Sequence, residues 1–255
     1  MKRRQLMGYA GAGLLTAMGG EWLTHLQANA QTGNSLSIQW LGHSCFLFTG
    51  GGLRVLVNPF RPGGCTAKYR PIRVTADLVL VSSQLLDEGY IGDLPGNPKL
   101  IFRPGVYEFG GIQFQGVALP HDRRGGRQFG MNNAWSWRQA GVRISHLGVP
   151  AGSISIEQKT LFGRPDVALI PVGGGAKGYN AQEAQQAIQS LNPRLIIPTY
   201  YRTQAADDTC DIAPLDEFLN VMQGTQIIRS NTDTITIRPN QLPQTSAIQV
   251  MSYRF

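Results

Sequence analysis

Leu36, Ile38 and Trp40 alternate with polar residues, the period of a strand with one buried face. The alternation kinks at Gly42-His43 and resumes as strand from Phe46 to Phe48. Gly50-Gly51-Gly52 predicts a hairpin turn, Leu53–Val57 the returning strand, and Asn58-Pro59-Phe60 its end. A loop rich in Arg, Pro and Gly fills 61–75. The apolar run from Asp77 to Ser82 then predicts a strand buried on both faces. A turn or short helix is expected around Leu85–Ile91, followed by strands at Lys99–Phe102, Gly105–Phe109 and Ile112–Ala118. After a loop over 119–131, Ala134–Trp137 and Val142–Leu147 form a hairpin through Gln139-Ala140-Gly141. Trp135 and Trp137 share one strand face, either lining a pocket or covering the core.

The second half changes period. Asp166–Pro171 reads as another buried strand. Asn180 with Glu183 three residues on is a capping box, and Ala181, Ala184, Ala187, Ile188 and Leu191 follow at helical spacing. Pro193 closes that helix and Arg194–Pro198 is the next buried strand. Leu215, Phe218, Leu219 and Met222 mark a second amphipathic helix, and strands at Thr225–Ile228 and Thr234–Ile237 finish the core. Mixed strands first and β-helix-β later predict a layered α/β sandwich. No linker interrupts 31–255, which reads as one domain.

Composition narrows this picture. With 42% apolar residues spread along the chain, disorder is excluded, and 31 Gly with 15 Pro fit a strand-rich protein with many turns. The net charge is +7, of which Lys2, Arg3, Arg4 and Glu21 supply +2, leaving +5 for the remainder. The basic residues are scattered; Arg123, Arg124 and Arg127 alone cluster, which fits a solvated loop better than a nucleic-acid surface. No nucleic-acid partner is expected.

Residues 1–30 read as a targeting segment. Lys2-Arg3-Arg4-Gln5-Leu6-Met7 resembles a twin-arginine motif, with Lys2 where Ser or Thr is commoner. A weakly apolar stretch from Tyr9 to Gly20 follows, short for a bilayer span. Ala28-Asn29-Ala30 fits the small-x-small cleavage pattern, with the cut between Ala30 and Gln31. Gly8, Gly11 and Gly13 follow no strand and are not a dinucleotide fingerprint. Export by the twin-arginine route to a periplasm or thylakoid lumen is the expectation, with no membrane attachment after cleavage. Of the three cysteines, Cys45 lies in an apolar strand and reads as a buried small hydrophobe. Cys65 and Cys210 lie in loops, and in an oxidising compartment they either pair or stay free.

Ile38-Gln39-Trp40-Leu41-Gly42-His43-Ser44, the glycine hairpin and Val57-Asn58-Pro59-Phe60 resemble the opening of metallo-β-lactamase superfamily proteins, in the branch of lactonase-like hydrolases. Asp166–Gly174, the capped helix and Leu195–Tyr201 resemble its later landmarks, in order. The resemblance implies a four-layer αββα sandwich. It also implies a His-x-His-x-Asp-His loop after a buried strand, with later His, Asp and His ligands for one or two Zn-like ions that activate water.

At the matching loop this chain has Ser83-Gln84-Leu85-Leu86-Asp87-Glu88, where only Asp87 stands. Ser83 and Leu85 occupy histidine positions and Glu88 a fourth ligand position. His121 matches the next landmark, but Val149 stands where the bridging Asp belongs and Tyr200 where the final His belongs. The mature region has three histidines, His43, His121 and His146, too few for a dinuclear site. No cofactor is therefore predicted, although Asp87, Glu88 and His121 could hold a single Zn-like ion.

The expected pocket comprises His43, Ser83, Asp87, Glu88, His121, His146 and Tyr200, with Asp87 and His121 as catalytic candidates. The alternatives are Asp87 as a turn or helix cap and His121 as a loop residue. Glu88 would repel Asp87 unless a cation lies near; buried together without one, one carboxyl would be raised into a general acid. The family's loops after Asn58-Pro59-Phe60 and after Pro198-Thr199-Tyr200 border one mouth, which implies a Cys65–Cys210 bridge. Three functions follow. The leading one is a non-classical member binding a small ligand or protein partner in the cleft. The others are a reduced-site hydrolase of an ester, lactone or phosphoester, and a structural or assembly factor.

Overall fold

The computed structural model describes residues 35–255, so the twin-arginine segment and the Ala30–Gln31 cleavage point lie outside the described residues. The alternating opening segment forms β1 (Leu36–Gly42), which pairs antiparallel with β2 (Cys45–Gly50). The register slips between Trp40 and Gly42, at the kink expected from the sequence. The glycine turn leads to β3 (Leu53–Val57), followed by β4 (Leu78–Leu80) and β5 (Lys99–Ile101). A meander comes next: β6 (Gly105–Phe109), β7 (Ile112–Pro120), β8 (Met131–Gln139) and β9 (Val142–His146). The second half supplies α1 (Ile156–Phe162), β10 (Val167–Pro171), α2 (Ala181–Leu191), β11 (Leu195–Thr199), α3 (Leu215–Val221), β12 (Gln226–Arg229), β13 (Thr234–Ile237) and β14 (Ala247–Val250).

Two sheets result. One runs β13-β1-β2-β3-β4-β5 and the other β12-β14-β11-β10-β9-β8-β7-β6. Their inner faces meet through aromatic and polar contacts. Phe48 stands edge-on to Trp137 at 4.9 Å between ring centres, and Gln139 Nε2 donates to the Gly50 and Leu53 carbonyls. Trp135 and Trp137 are both buried in this core, which resolves their ambiguous placement in favour of packing. With helices α1–α3 added, the arrangement fits an αββα sandwich.

Local signals explain the helices. Asn180 accepts from Glu183 N while the Glu183 side chain accepts from Asn180 N, so two otherwise orphaned donors are satisfied. Its alanine face is buried, and Asn192 ends it in a left-handed conformation. Helix α1 was not foreseen. It carries the same box, Ser155 with Gln158, but buries only Phe162 and so shows little periodicity. Of the two alternatives around Leu85–Ile91, the structure has the turn. One further departure is that the core does not finish at β13, because Ala247–Val250 inserts as a parallel strand between β11 and β12.

The topology places the site. Strands β9, β10, β11 and β14 run parallel, as do β3, β4 and β5. The loops that leave their carboxyl ends carry His146–Val149, Gly173–Asn180, Tyr200, Asn58 and Ser82–Glu88. Such ends are where α/β proteins place ligands.

Candidate functional site

The loop after β4 is a tight turn. Glu88 N donates to the Leu85 carbonyl and Leu85 N to Ser83 Oγ. A Cβ at Gly89 would collide with the Ser83 carbonyl oxygen, so only glycine lets the chain double back here. Ser83 therefore shapes the turn. Asp87 and Glu88 emerge from it side by side, Asp87 with its side chain 32% exposed and Glu88 fully buried.

Between the two carboxylates stands Lys177, from the glycine-rich loop after β10. Its Nζ donates to Asp87 Oδ1 at 2.9 Å and Oδ2 at 2.8 Å, and to Glu88 Oε1 at 2.5 Å. All three ammonium protons are thus engaged. Beyond Glu88, His121 Nε2 lies 3.0 Å from Oε1, a close contact without hydrogen-bond direction, so both His121 ring nitrogens stay unpartnered. Beyond Asp87, His43 Nε2 lies 3.9 Å away, and its ring stacks obliquely on Tyr200 at 4.5 Å. The groups form a line: imidazole, carboxylate, ammonium, carboxylate, imidazole.

Electrostatics follow from this line. Burial alone would raise the Asp87 carboxyl, but His43 and Lys177 outweigh it and hold it well below the usual carboxylate range. Burial would lower Lys177, and Glu88 with Asp87 reverse that, holding the ammonium above its ordinary value. The paired carboxylates therefore yield no raised general acid at Asp87. The cation that the sequence left as a condition is Lys177, ninety positions away in the chain.

The opposite wall is apolar. Val149, Tyr200, Cys210 and Ile212 form a small buried cluster separate from the main core, with Cys65 packed against it. Cys65 and Cys210 are disulfide-bonded, with Cα atoms 4.7 Å apart. Two family ligand positions, Val149 and Tyr200, are thus absorbed into a hydrophobic plug. Gly178 belongs to the same fit, since a Cβ there would lie 2.8 Å from Val149 Cγ1. Tyr200 holds φ 53°, His43 φ 54° and Asn58 φ 53°, a region costly for side chains of this size. Strain at three cleft positions is of the kind that functional sites retain. Tertiary contacts hold it: the His43 carbonyl accepts from Trp40 Nε1 at 3.1 Å and from Tyr200 N at 3.4 Å.

His121 is presented by a loop that Asp122 organises. Its carboxylate accepts from the backbone N–H groups of Arg124, Gly126, Gln128 and Phe129, which lower it to about 2. Arg123 reaches across to the Lys177 loop, donating to the Gly175 and Gly178 carbonyls and to both Glu183 oxygens. One member of the basic cluster is therefore a clamp on that loop. His146 does not join the cluster. Its Nε2 meets the Ser44 carbonyl at 3.0 Å and its Nδ1 accepts from Gly148 N. Burial lowers it to about 4, so it is neutral and structural.

A cavity of about 450 Å³ opens above Asp87, Lys177 and Tyr200, walled by Arg61, Cys65 and Asp211. His43, Glu88 and His121 lie behind this floor. Lys177 escaped the reading of the sequence. The available signal was weak: one lysine in Gly173-Gly174-Gly175-Ala176-Lys177-Gly178, after a buried strand.

A dinuclear metal centre does not fit these residues. Leu85, Val149 and Tyr200 offer no suitable donors where ligands belong, and Lys177 already bonds both carboxylates. Among the described residues, no group of three or more His, Cys, Asp or Glu side chains is disposed to hold a metal ion. His121 meets Glu88, and Lys177 stands between Glu88 and Asp87, so the three candidate donors are strung along a line.

A family model for the beta-lactamase superfamily domain matches residues 37–200. A UPF0173 metal-dependent hydrolase of Thermococcus onnurineus is 27% identical over 196 residues, covering 66% of this chain and 85% of that protein. Its counterpart from Carboxydothermus hydrogenoformans is 29% identical over 199 residues, with the same coverage. In three dimensions, a proposed Zn-dependent hydrolase of the metallo-β-lactamase superfamily from Thermotoga maritima is similar at TM-score 0.66 and 28% identity, over 85% of this chain and 98% of that one. Igni18, a metallo hydrolase from Ignicoccus hospitalis, shares the fold at TM-score 0.55 and 16% identity, over 80% and 99% of the two chains.

Proposed function

Because the chain belongs to the beta-lactamase superfamily, we propose that it is a member whose cleft binds a small-molecule ligand with Lys177, and no metal ion, supplying the site's cation. The observation that carries this reading is the Lys177 ammonium within 2.8 Å of Asp87 and 2.5 Å of Glu88. A fixed positive charge there satisfies both carboxylates, the electrostatic part a metal would play. The arrangement is poorly suited to hydrolysis. Asp87 is held far below neutral pH and is a weak base. His121 is wholly buried behind Glu88. Binding fits better: Asp87 presents an exposed edge to a cavity that Arg61, Asp211 and Tyr200 also line. Export by the twin-arginine route belongs to this proposal, and a reporter fused to residues 1–34 tests it by its compartment.

A second reading is favoured by the names of the relatives, metal-dependent hydrolases, and by unpartnered atoms on Glu88 Oε2 and His121 Nδ1. In that reading Asp87, Glu88 and His121 are the donors for a single ion once Lys177 withdraws, and an ester, lactone or phosphoester is cleaved. Metal quantification on the folded protein separates the two. The first reading expects less than a tenth of an equivalent of zinc, iron or manganese, and no turnover of lactone, phosphodiester or β-lactam substrates. One equivalent of metal that disappears in Asp87→Ala and His121→Ala, together with turnover, decides for the second.

A further inference from the structure

The cavity wall depends on two loops with little regular structure of their own. One, between β3 and β4, supplies Arg61 and Cys65; the other, between β11 and α3, supplies Thr209 and Asp211. The Cys65–Cys210 bridge joins them across 145 positions. Otherwise they share three hydrogen bonds: Asp207 N to the Gly64 carbonyl at 3.0 Å, Lys68 N to the Ala205 carbonyl at 2.9 Å, and Tyr69 with Thr203 between hydroxyls at 2.8 Å. The bridge packs on the small apolar cluster and not on the main core. Losing it would loosen the mouth and leave the sandwich standing.

The consequence reaches the charged line. Tyr200 is the floor of that small cluster, and its ring also covers Lys177, whose Nζ lies 5.7 Å from the ring centre. We propose that the Cys65–Cys210 bridge is a redox gate on the cleft: oxidised, it holds the cavity wall and keeps Tyr200 over Lys177; reduced, it frees both loops and uncovers the ammonium. Cys65 is half-buried and lines the cavity, so a small dithiol can reach its sulfur. One thiolate of the dithiol attacks Sγ of Cys65 and breaks the S–S bond, releasing Cys210 as a thiolate that takes up a proton. The second dithiol sulfur then displaces Cys65, which leaves as a thiol. The protein gains two electrons and two protons, and the dithiol becomes a cyclic disulfide.

The gate rests on the cleft being the working site, but its test needs neither ligand nor metal, so it stands or falls apart from the zinc assay. Amide hydrogen exchange on the full chain, with and without dithiothreitol, is the primary measurement. Exchange over 63–69 and 203–211 is expected to rise at least tenfold on reduction, while amides of β10 and β11 keep their rates. Acetylation of Lys177 by an N-hydroxysuccinimide ester is expected to rise by a similar factor. The Cys65→Ser/Cys210→Ser variant should behave as the reduced protein without any reductant. Unchanged loop exchange and Lys177 labelling in both reduced protein and variant would overturn the gate. Uniform acceleration across β10 and β11 would overturn it too, because the bridge would then hold the whole fold.

Discussion

On one side of the cleft, Asp87 and Glu88 close on the Lys177 ammonium. On the other, Val149, Tyr200 and Ile212 close on a disulfide. Both sides occupy positions where the family resemblance puts metal ligands, and they are made safe in different ways. The first keeps its charge and neutralises it internally; the second gives up charge for apolar contact. A buried carboxylate pair without a counter-ion would be intolerable, whereas a valine and a tyrosine need only neighbours. The comparison explains how a cleft with Val149 and Tyr200 at two of those positions is still well packed.

The sharpest way to break the charged side is to remove its cation. Lys177→Met leaves two carboxylates facing each other, and chemical denaturation should show a loss of about 4 kcal/mol at neutral pH. Adding Asp87→Asn and Glu88→Gln to that variant should recover most of it. A single variant as stable as the wild type would mean that the ammonium is not the counter-ion. On the apolar side, Val149→Asp buries an unpaired carboxylate and should cost about 3 kcal/mol. Zinc that restored stability to Val149→Asp combined with Tyr200→His and Lys177→Ala would show that three substitutions suffice to make the cleft bind a metal ion.

Acid separates the two sides from their surroundings. His146 is buried beside both, and its folded value of about 4 lies below the ordinary histidine value of about 6.5. The unfolded chain binds the proton more readily, so stability is complete above about pH 6.5 and falls as pH drops toward 4. The loss should reach about 3 kcal/mol by the lower end. Asp87, depressed further, adds its own loss as pH falls through the ordinary carboxylate value of about 4, and that loss continues below it. Denaturation midpoints measured from pH 7 to 4 should slope down in the wild type and flatten in His146→Gln. The smallest effect belongs to the Arg123 clamp, which is part-exposed: Arg123→Ala should cost about 1 kcal/mol. It should also raise hydrogen exchange in the Lys177 loop, and unchanged exchange there would remove the clamp from the account.

The candidate site was readable in part. Asp87, Glu88 and His121 were expected together; Glu88 meets His121 directly, and Asp87 is linked to them only through Lys177. His43 and Tyr200 were expected at the pocket; Tyr200 lines it and His43 is buried behind it, stacked obliquely on Tyr200. His146 and Ser83 were expected there as well, but one is a core histidine and the other a turn residue. Residue type gave both sets the same standing. A histidine facing a cleft and one bonded to a buried carbonyl look alike until the strand that carries them is given an orientation.

Sequence alone determined the periodicity of the strands, the capped helix, the order of landmarks and the count of three histidines in residues 31–255, since all of these are local patterns or counts. Only the tertiary structure decided what fills the space those ligands would have used. Lys177 meets Asp87 across ninety positions and Cys65 meets Cys210 across 145. Those meetings follow from parallel strands whose carboxyl ends open at one edge of the sandwich. No local pattern encodes them, because the charge or sulfur at one position is silent about its partner until the sheets bring the two loops together.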